Sequence, residues 1–92
     1  MDAFTALAHP LRREVLAMLR KGPLTSGEIA DAFDVAWPTM TGHLTKLKEA
    51  GLVTAERSGT NILYRLNASI LEDTAAMLLD LVAGKKSKGS KS

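Results

Sequence analysis

Apolar residues recur at helical spacing along most of the chain. From Phe4 to Ala8 the spacing predicts a short helix with Phe4, Leu7 and Ala8 on one face and Asp2 placed to cap it. Pro10 suits the first turn of a second helix, where Leu11, Val15, Met18 and Leu19 form an apolar stripe and Arg12, Arg13 and Glu14 are turned to water. Gly22 and Pro23 end it. Thr25 followed by Glu28 has the spacing of a capping box, in which hydroxyl and carboxylate each satisfy an amide left open at a helix start. The short helix it opens is predicted to run to about Phe33. After Asp34, Val35 and Ala36, Pro38 lies in the first turn of a fourth helix that reaches Ala50 and stops at Gly51.

The period then changes. Leu52 to Glu56 and Ile62 to Leu66 read as strands, and Arg57, Ser58, Gly59, Thr60 and Asn61 between them as a turn, giving a β-hairpin. Ser69 and Glu72 repeat the capping-box spacing ahead of a last helix ending near Gly84. That helix carries Ile70, Leu71, Ala75, Ala76, Met77, Leu78, Leu79, Leu81 and Val82, more apolar surface than one stripe against a small core can use. Either a second subunit covers part of it, which is the expectation, or the helix lies deeper in its own monomer. The fold class is therefore mainly α with a small β-hairpin, a winged helix-turn-helix in the order α-α-α-α-β-β-α. No internal repeat is visible.

At about 100° per residue, Met40, Leu44 and Leu47 form the buried stripe of the fourth helix, and Pro38, Thr39, Gly42, Thr45, Lys46 and Glu49 point away from it. A helix enters the major groove closely only if its leading side chains are short, and hydroxyls can bond base edges or phosphates. Gly42 allows close approach and, as a helix interior residue, costs about 1 kcal/mol relative to alanine. Lys46, one turn on, is within reach of a phosphate, while Thr39 and Thr41 lie near the end where the helix dipole favours an anion. Trp37 has two readings, stacking on the nucleic acid or packing on its own domain. His43, about 70° from the buried stripe, either bonds DNA or seals the edge of the core. Arg57 and Arg65 bracket the hairpin, which as a wing would follow the sugar-phosphate backbone.

Ninety-two residues make one domain, expected over residues 1–83, and a body this small buries only about 60 % of its unfolded surface, so dimerisation would add to its stability. The absence of cysteine excludes a disulfide framework, a thiolate metal site and a cysteine nucleophile, and suits a reducing cytoplasm. No basic segment leads into an apolar run at the start, and no stretch approaches the roughly 18 apolar residues of a membrane span, so a cytoplasmic protein without membrane insertion is expected. The net charge of +2 comes from the last nine residues, where Lys85, Lys86, Lys88 and Lys91 stand without an acid. Without them, eight Lys and Arg face ten Asp and Glu, so nucleic-acid binding depends on where the cations sit and not on the pI. Residues 84–92, rich in Lys, Gly and Ser, are expected to be a disordered tail.

Three segments together resemble the ArsR/SmtB family of winged-helix repressors: Ala8, His9, Pro10, Leu11, Arg12 and Arg13; Pro38 to Leu44 with Leu47, Ala50, Gly51, Leu52 and Val53; and Arg57, Gly59, Tyr64 and Leu66. The resemblance spans Phe4 to about Val82. It implies a homodimer joined through the first and last helices, with Phe4, Leu7, Leu71, Leu78, Leu81 and Val82 at the contact, binding a palindromic double-stranded operator and repressing transcription. Family members that sense metals place a cysteine motif in the third helix or Asp and His ligands in the last. Here Leu24 to Phe33 lacks cysteine and the last helix lacks histidine, so no metal or other cofactor is expected. Ala36 stands where the family has a capping serine. The pattern is most similar to metal-independent, SdpR-like autorepressors within the family, which implies release by a sequestering protein partner.

No Gly-rich phosphate loop, nucleophile elbow or acid-base pair is present, and Asp31 with Asp34, or Glu72 with Asp73, read as solvated helix charges, so no catalytic residue is assigned. The competing reading is a winged-helix protein-interaction module without specific DNA binding. Loss of DNA binding would place acids on the outward face of the fourth helix, but that face carries Lys46 and threonines, with Glu49 only at its far end.

Overall fold

The computed structural model describes residues 2–84. Helix α1 (Ala3–Leu7) is capped as expected, the Thr5 amide donating to Asp2 Oδ1 at 2.8 Å. His9 starts α2 (Pro10–Leu19), its Nδ1 accepting from the Leu11 amide at 3.1 Å. Val15, Leu16 and Leu19 are its buried apolar residues, with Met18 half-buried. Arg12, expected to face water, is only 6 % exposed. The short α1 lies across the start of α2 and turns its backbone carbonyls toward that guanidinium, a contact no periodicity within α2 can reveal.

A two-residue strand that the pattern did not predict, β1 (Leu24–Thr25), precedes α3 (Ser26–Asp31). The capping box forms: the Glu28 amide donates to Thr25 Oγ1 at 3.2 Å and the Thr25 amide to Glu28 Oε1 at 2.8 Å. After a short turn, α4 (Trp37–Glu49) begins at Ala36 with no side-chain cap and buries Met40, Leu44 and Leu47. Gly51 follows at φ +79°, the left-handed conformation that ends a helix without a Cβ clash.

The hairpin pairs β2 (Val53–Ser58) with β3 (Asn61–Leu66), in register from Val53 opposite Leu66 to Ser58 opposite Asn61. Its turn is only Gly59 and Thr60, with φ +65° at the glycine and a negative φ at the threonine, the pattern of a II′ turn. This tight turn carries the strands out to Ser58 and Asn61, beyond the limits expected. β3 also pairs antiparallel with β1, Leu24 opposite Tyr64 and Thr25 opposite Leu63, so the sheet order is β1-β3-β2.

Helix α5 (Ala68–Ala83) starts directly from β3, because the Asn67 amide is already held by the Leu52 carbonyl at 2.9 Å. Ser69 is therefore inside the helix, and the expected Ser69–Glu72 capping box does not form; Asn67 makes no side-chain cap either. The core is Ala6, Val15, Leu16, Leu19, Ile29, Ala30, Met40, Leu44, Leu47, Leu52 and Val53. Thr74 is the buried residue of α5, its hydroxyl bonded to the Ile70 carbonyl at 2.8 Å. The alternative of a last helix sunk in its own monomer does not hold: Met77, Leu78 and Leu79 are exposed, and Leu81 and Val82 are 75 % and 85 % exposed. Among the described residues, no helix is long and apolar enough to cross a membrane.

Candidate nucleic-acid interface

Two helices, α3 and α4, meet across the turn at Phe33 to Ala36, and the hairpin follows α4 at once. Burial of Met40, Leu44 and Leu47 decides which face of α4 remains outside. Trp37, Pro38, Thr39, Thr41, Gly42, Thr45 and Lys46 are all exposed, together with Lys48. A Cβ built on Gly42 meets nothing within 4 Å, so the helix backbone there is open to an approaching surface. From Trp37 to Lys48 this helix carries no acid, and Ala36 leaves its first amides without a side-chain acceptor. Those open N–H groups and the helix dipole favour an anion at that end.

Trp37 is 54 % exposed, and its ring edge lies beside Gly27 of α3, at 4.0 Å from a Cβ built there. The indole thus lies beside α3 with about half of its surface open to solvent.

His43 is half-buried at the edge of the interface. Arg12 Nη1 lies 3.1 Å from its Nδ1, and its ring is tilted 53° against that of His9 with centroids 4.4 Å apart. Arginine has only donors, so His43 Nδ1 accepts and the neutral ring carries its proton on Nε2. Burial, followed by the neighbouring His9, Arg12 and Lys46, lowers the pKa of His43. Its Nδ1 edge is committed to Arg12, while its Nε2 has no hydrogen-bond partner among the described residues.

On the wing, Arg57 is exposed beside the turn, and among the described residues it has no ion pair. Arg65 donates to Glu56 Oε1 at 3.2 Å, a diagonal cross-strand pair on an exposed surface, so part of its charge is already answered. Such pairs stabilise by about 0–1 kcal/mol. Lys48, not singled out by sequence reasoning, lines with Arg57, Glu56 and Tyr64 a shallow depression between α4 and the wing. Its signal was its place in the last turn of the fourth helix, two residues after Lys46 and eight before the hairpin acid Glu56. Arg12 had no such signal, since its partners are brought together only by folding.

The α-helices, the tight turn and the adjoining hairpin define a winged helix-turn-helix DNA-binding domain. A protein-family model described as a helix-turn-helix domain matches residues 7–56. The transcriptional repressor SdpR of Bacillus subtilis is 35 % identical over 81 residues, covering 88 % of this chain and 90 % of the relative. The repressor SmtB of Mycobacterium tuberculosis is 44 % identical over 82 residues, covering 89 % of this chain but 58 % of the relative, so the chain spans little more than half of that protein. A crystal structure of an ArsR family transcriptional regulator superposes with a TM-score of 0.80 at 31 % identity, over 87 % of this chain and 88 % of the other. The chain belongs to the ArsR/SmtB family of repressors. It is a DNA-binding transcriptional regulator and not an enzyme.

Proposed function

We propose that this regulator binds a palindromic operator as a homodimer and represses its own operon in the cytoplasm. Two copies of α4 would occupy successive major grooves roughly 34 Å apart on one face of the DNA, with the wings on the flanking backbone. In this reading Thr39, Thr41 and Thr45 face base edges or phosphates, Pro38 and Gly42 allow close approach, and Lys46 neutralises a phosphate. Trp37 and the free edge of His43 border the groove, and Arg57 and Arg65 follow the sugar-phosphate backbone. The observation that carries this reading is the outer face of α4 from Trp37 to Lys48, free of acids and rich in threonine, exposed around a buried Met40, Leu44 and Leu47 stripe.

The dimer contact in this reading joins α1 and α5 through Phe4, Leu7, Leu71, Leu78, Leu81 and Val82. It is supported by the exposed apolar residues of α5, which in water would be an association surface. The domain spans residues 1–83, and the tail from residue 84 lies, beyond Gly84, outside the described residues. Release by a sequestering protein partner belongs to the same proposal and rests on the resemblance to metal-independent autorepressors alone.

The test is a titration of the protein against its own promoter and unrelated DNA of equal length at several salt concentrations. A preference of about a thousandfold or more supports a specific repressor. Equal, steeply salt-dependent affinity for both would refute it and favour an interaction module.

A further inference from the structure

Among the described residues Arg12 is the one buried charged residue, 6 % exposed, and all three of its guanidinium nitrogens have partners. Nε donates to the Ala6 carbonyl at 2.7 Å, and Nη2 to the Thr5 carbonyl at 3.3 Å. The Ala6 carbonyl lies in the last turn of α1, which stops at Leu7 before an extended His9, so the helix supplies no amide for it. Arg12 supplies a donor in its place. Its third arm, Nη1, crosses to His43 Nδ1 on α4 at 3.1 Å. Among the described residues this is the side-chain hydrogen bond that joins α4 to another element.

Besides this bond and the contact of the His43 ring with His9, α4 is held by the packing of Met40, Leu44 and Leu47 in the core. The fork of directed hydrogen bonds adds a polar tie from α4 through Arg12 to the backbone of α1. We propose that Arg12 is a positioning residue for operator binding: through His43 it locks the recognition helix to the carboxyl end of α1, and so fixes the spacing of two such helices across a dimer. The proposal rests on the DNA-binding dimer described above.

The lock works only while His43 Nδ1 has a lone pair. The groups facing His43 are Arg12 and His9 from α2 and its N-cap, and Lys46 one turn along α4. None is an acid, so a protonated His43 would lose its contact with Arg12 and stand among cations. This makes the sign of the pH response diagnostic. If His43 matters to DNA only by direct contact, acidification adds a positive charge beside the phosphates and tightens binding. If it is the acceptor for Arg12, acidification breaks the lock and weakens binding.

The experiment measures affinity of the full chain for its own promoter between about pH 7.5 and about pH 5.5 at fixed ionic strength, for wild type, Arg12→Met and His43→Asn. Sedimentation at each pH reports the oligomer. Wild type is expected to weaken on acidification. Arg12→Met, still a dimer, is expected to bind about tenfold or more weakly at the higher pH and to lose or reverse the acid response. His43→Asn keeps an acceptor near the Nδ1 position but cannot titrate, and is expected to lose the acid-sensitive step even if Arg12→Met fails to fold. Tighter wild-type binding at low pH, an Arg12→Met dimer with wild-type affinity and pH profile, or an acid step persisting in His43→Asn would each overturn the proposal. Absence of promoter preference in wild type at pH 7.5 would instead bring down the DNA-binding reading, and this proposal with it.

Discussion

At the scale of single residues, Gly42 and Lys46 separate what folding requires from what binding requires. A methyl group added at Gly42 meets nothing within 4 Å, and alanine is the better helix former. Gly42→Ala should therefore raise stability by about 1 kcal/mol, or about 4–8 °C in Tm for a domain of this size. If the α4 backbone enters the groove, the same methyl should lower operator affinity; calorimetry and a binding titration on one preparation check both directions. Lys46→Ala should leave Tm nearly unchanged and reduce the slope of log affinity against log salt by about one. An unaltered slope would remove Lys46 from the surface. His43 has a lowered pKa because burial disfavours its charge, so the unfolded chain binds the proton more readily. Its effect on stability is nil well above the ordinary histidine pKa of about 6.5 and becomes destabilising as pH falls below it. In His43→Asn that part of the acid loss should vanish from denaturant titrations.

At the scale of elements, the two helices of the motif start differently. Helix α3 opens with a complete capping box, whereas α4 opens at Ala36 with none. Thr25→Ala should cost about 1 kcal/mol in a denaturation midpoint, with loss of the Glu28 contact included. Ala36→Ser should gain a similar amount by supplying the missing acceptor. The starts of these helices and the stop of α4 were legible because caps, Pro10, Pro38 and Gly51 act within a few residues, whereas the turn at Gly59 proved tighter than the five residues expected. The absent Ser69–Glu72 cap shows the limit of such local signals. Its spacing is correct, but the Leu52 carbonyl takes the Asn67 amide and starts α5 before Ser69 can serve as a cap. Strand β1 was illegible for a related reason: two residues carry no period, and Leu24 and Thr25 become a strand only because β3 returns beside them.

At the scale of the whole molecule, a 16-residue helix with one buried residue leaves a large apolar surface in water. Each large apolar side chain newly covered contributes roughly 1.5–3 kcal/mol, ample to drive association. Leu78→Glu combined with Leu81→Glu should give a monomer by sedimentation at micromolar protein while the described core, which neither residue belongs to, still folds. Operator affinity should fall by about a hundredfold or more, because the second half-site no longer binds as part of the same molecule. A parent protein that already sediments as a monomer would sink the dimer.

What the sequence by itself determined was the order of the five helices and the hairpin, though not β1, and the composition of the outer face of α4, because helical period, capping spacings, prolines and turn glycines are local in the chain. It also carried the family, through three segments lying across almost the whole domain. Only the tertiary structure decided the role of Arg12. Periodicity within α2 placed it in water, but the Thr5 and Ala6 carbonyls at the end of α1, together with His43 from a helix some thirty residues later, put three acceptors around it. Likewise, the count along α4 left His43 between core and groove, and folding gave one ring edge to Arg12 while leaving the other open. A hydrophobic stripe records which way a side chain leaves its own helix; whether a charged group there meets water or a set of acceptors depends on elements distant in the chain.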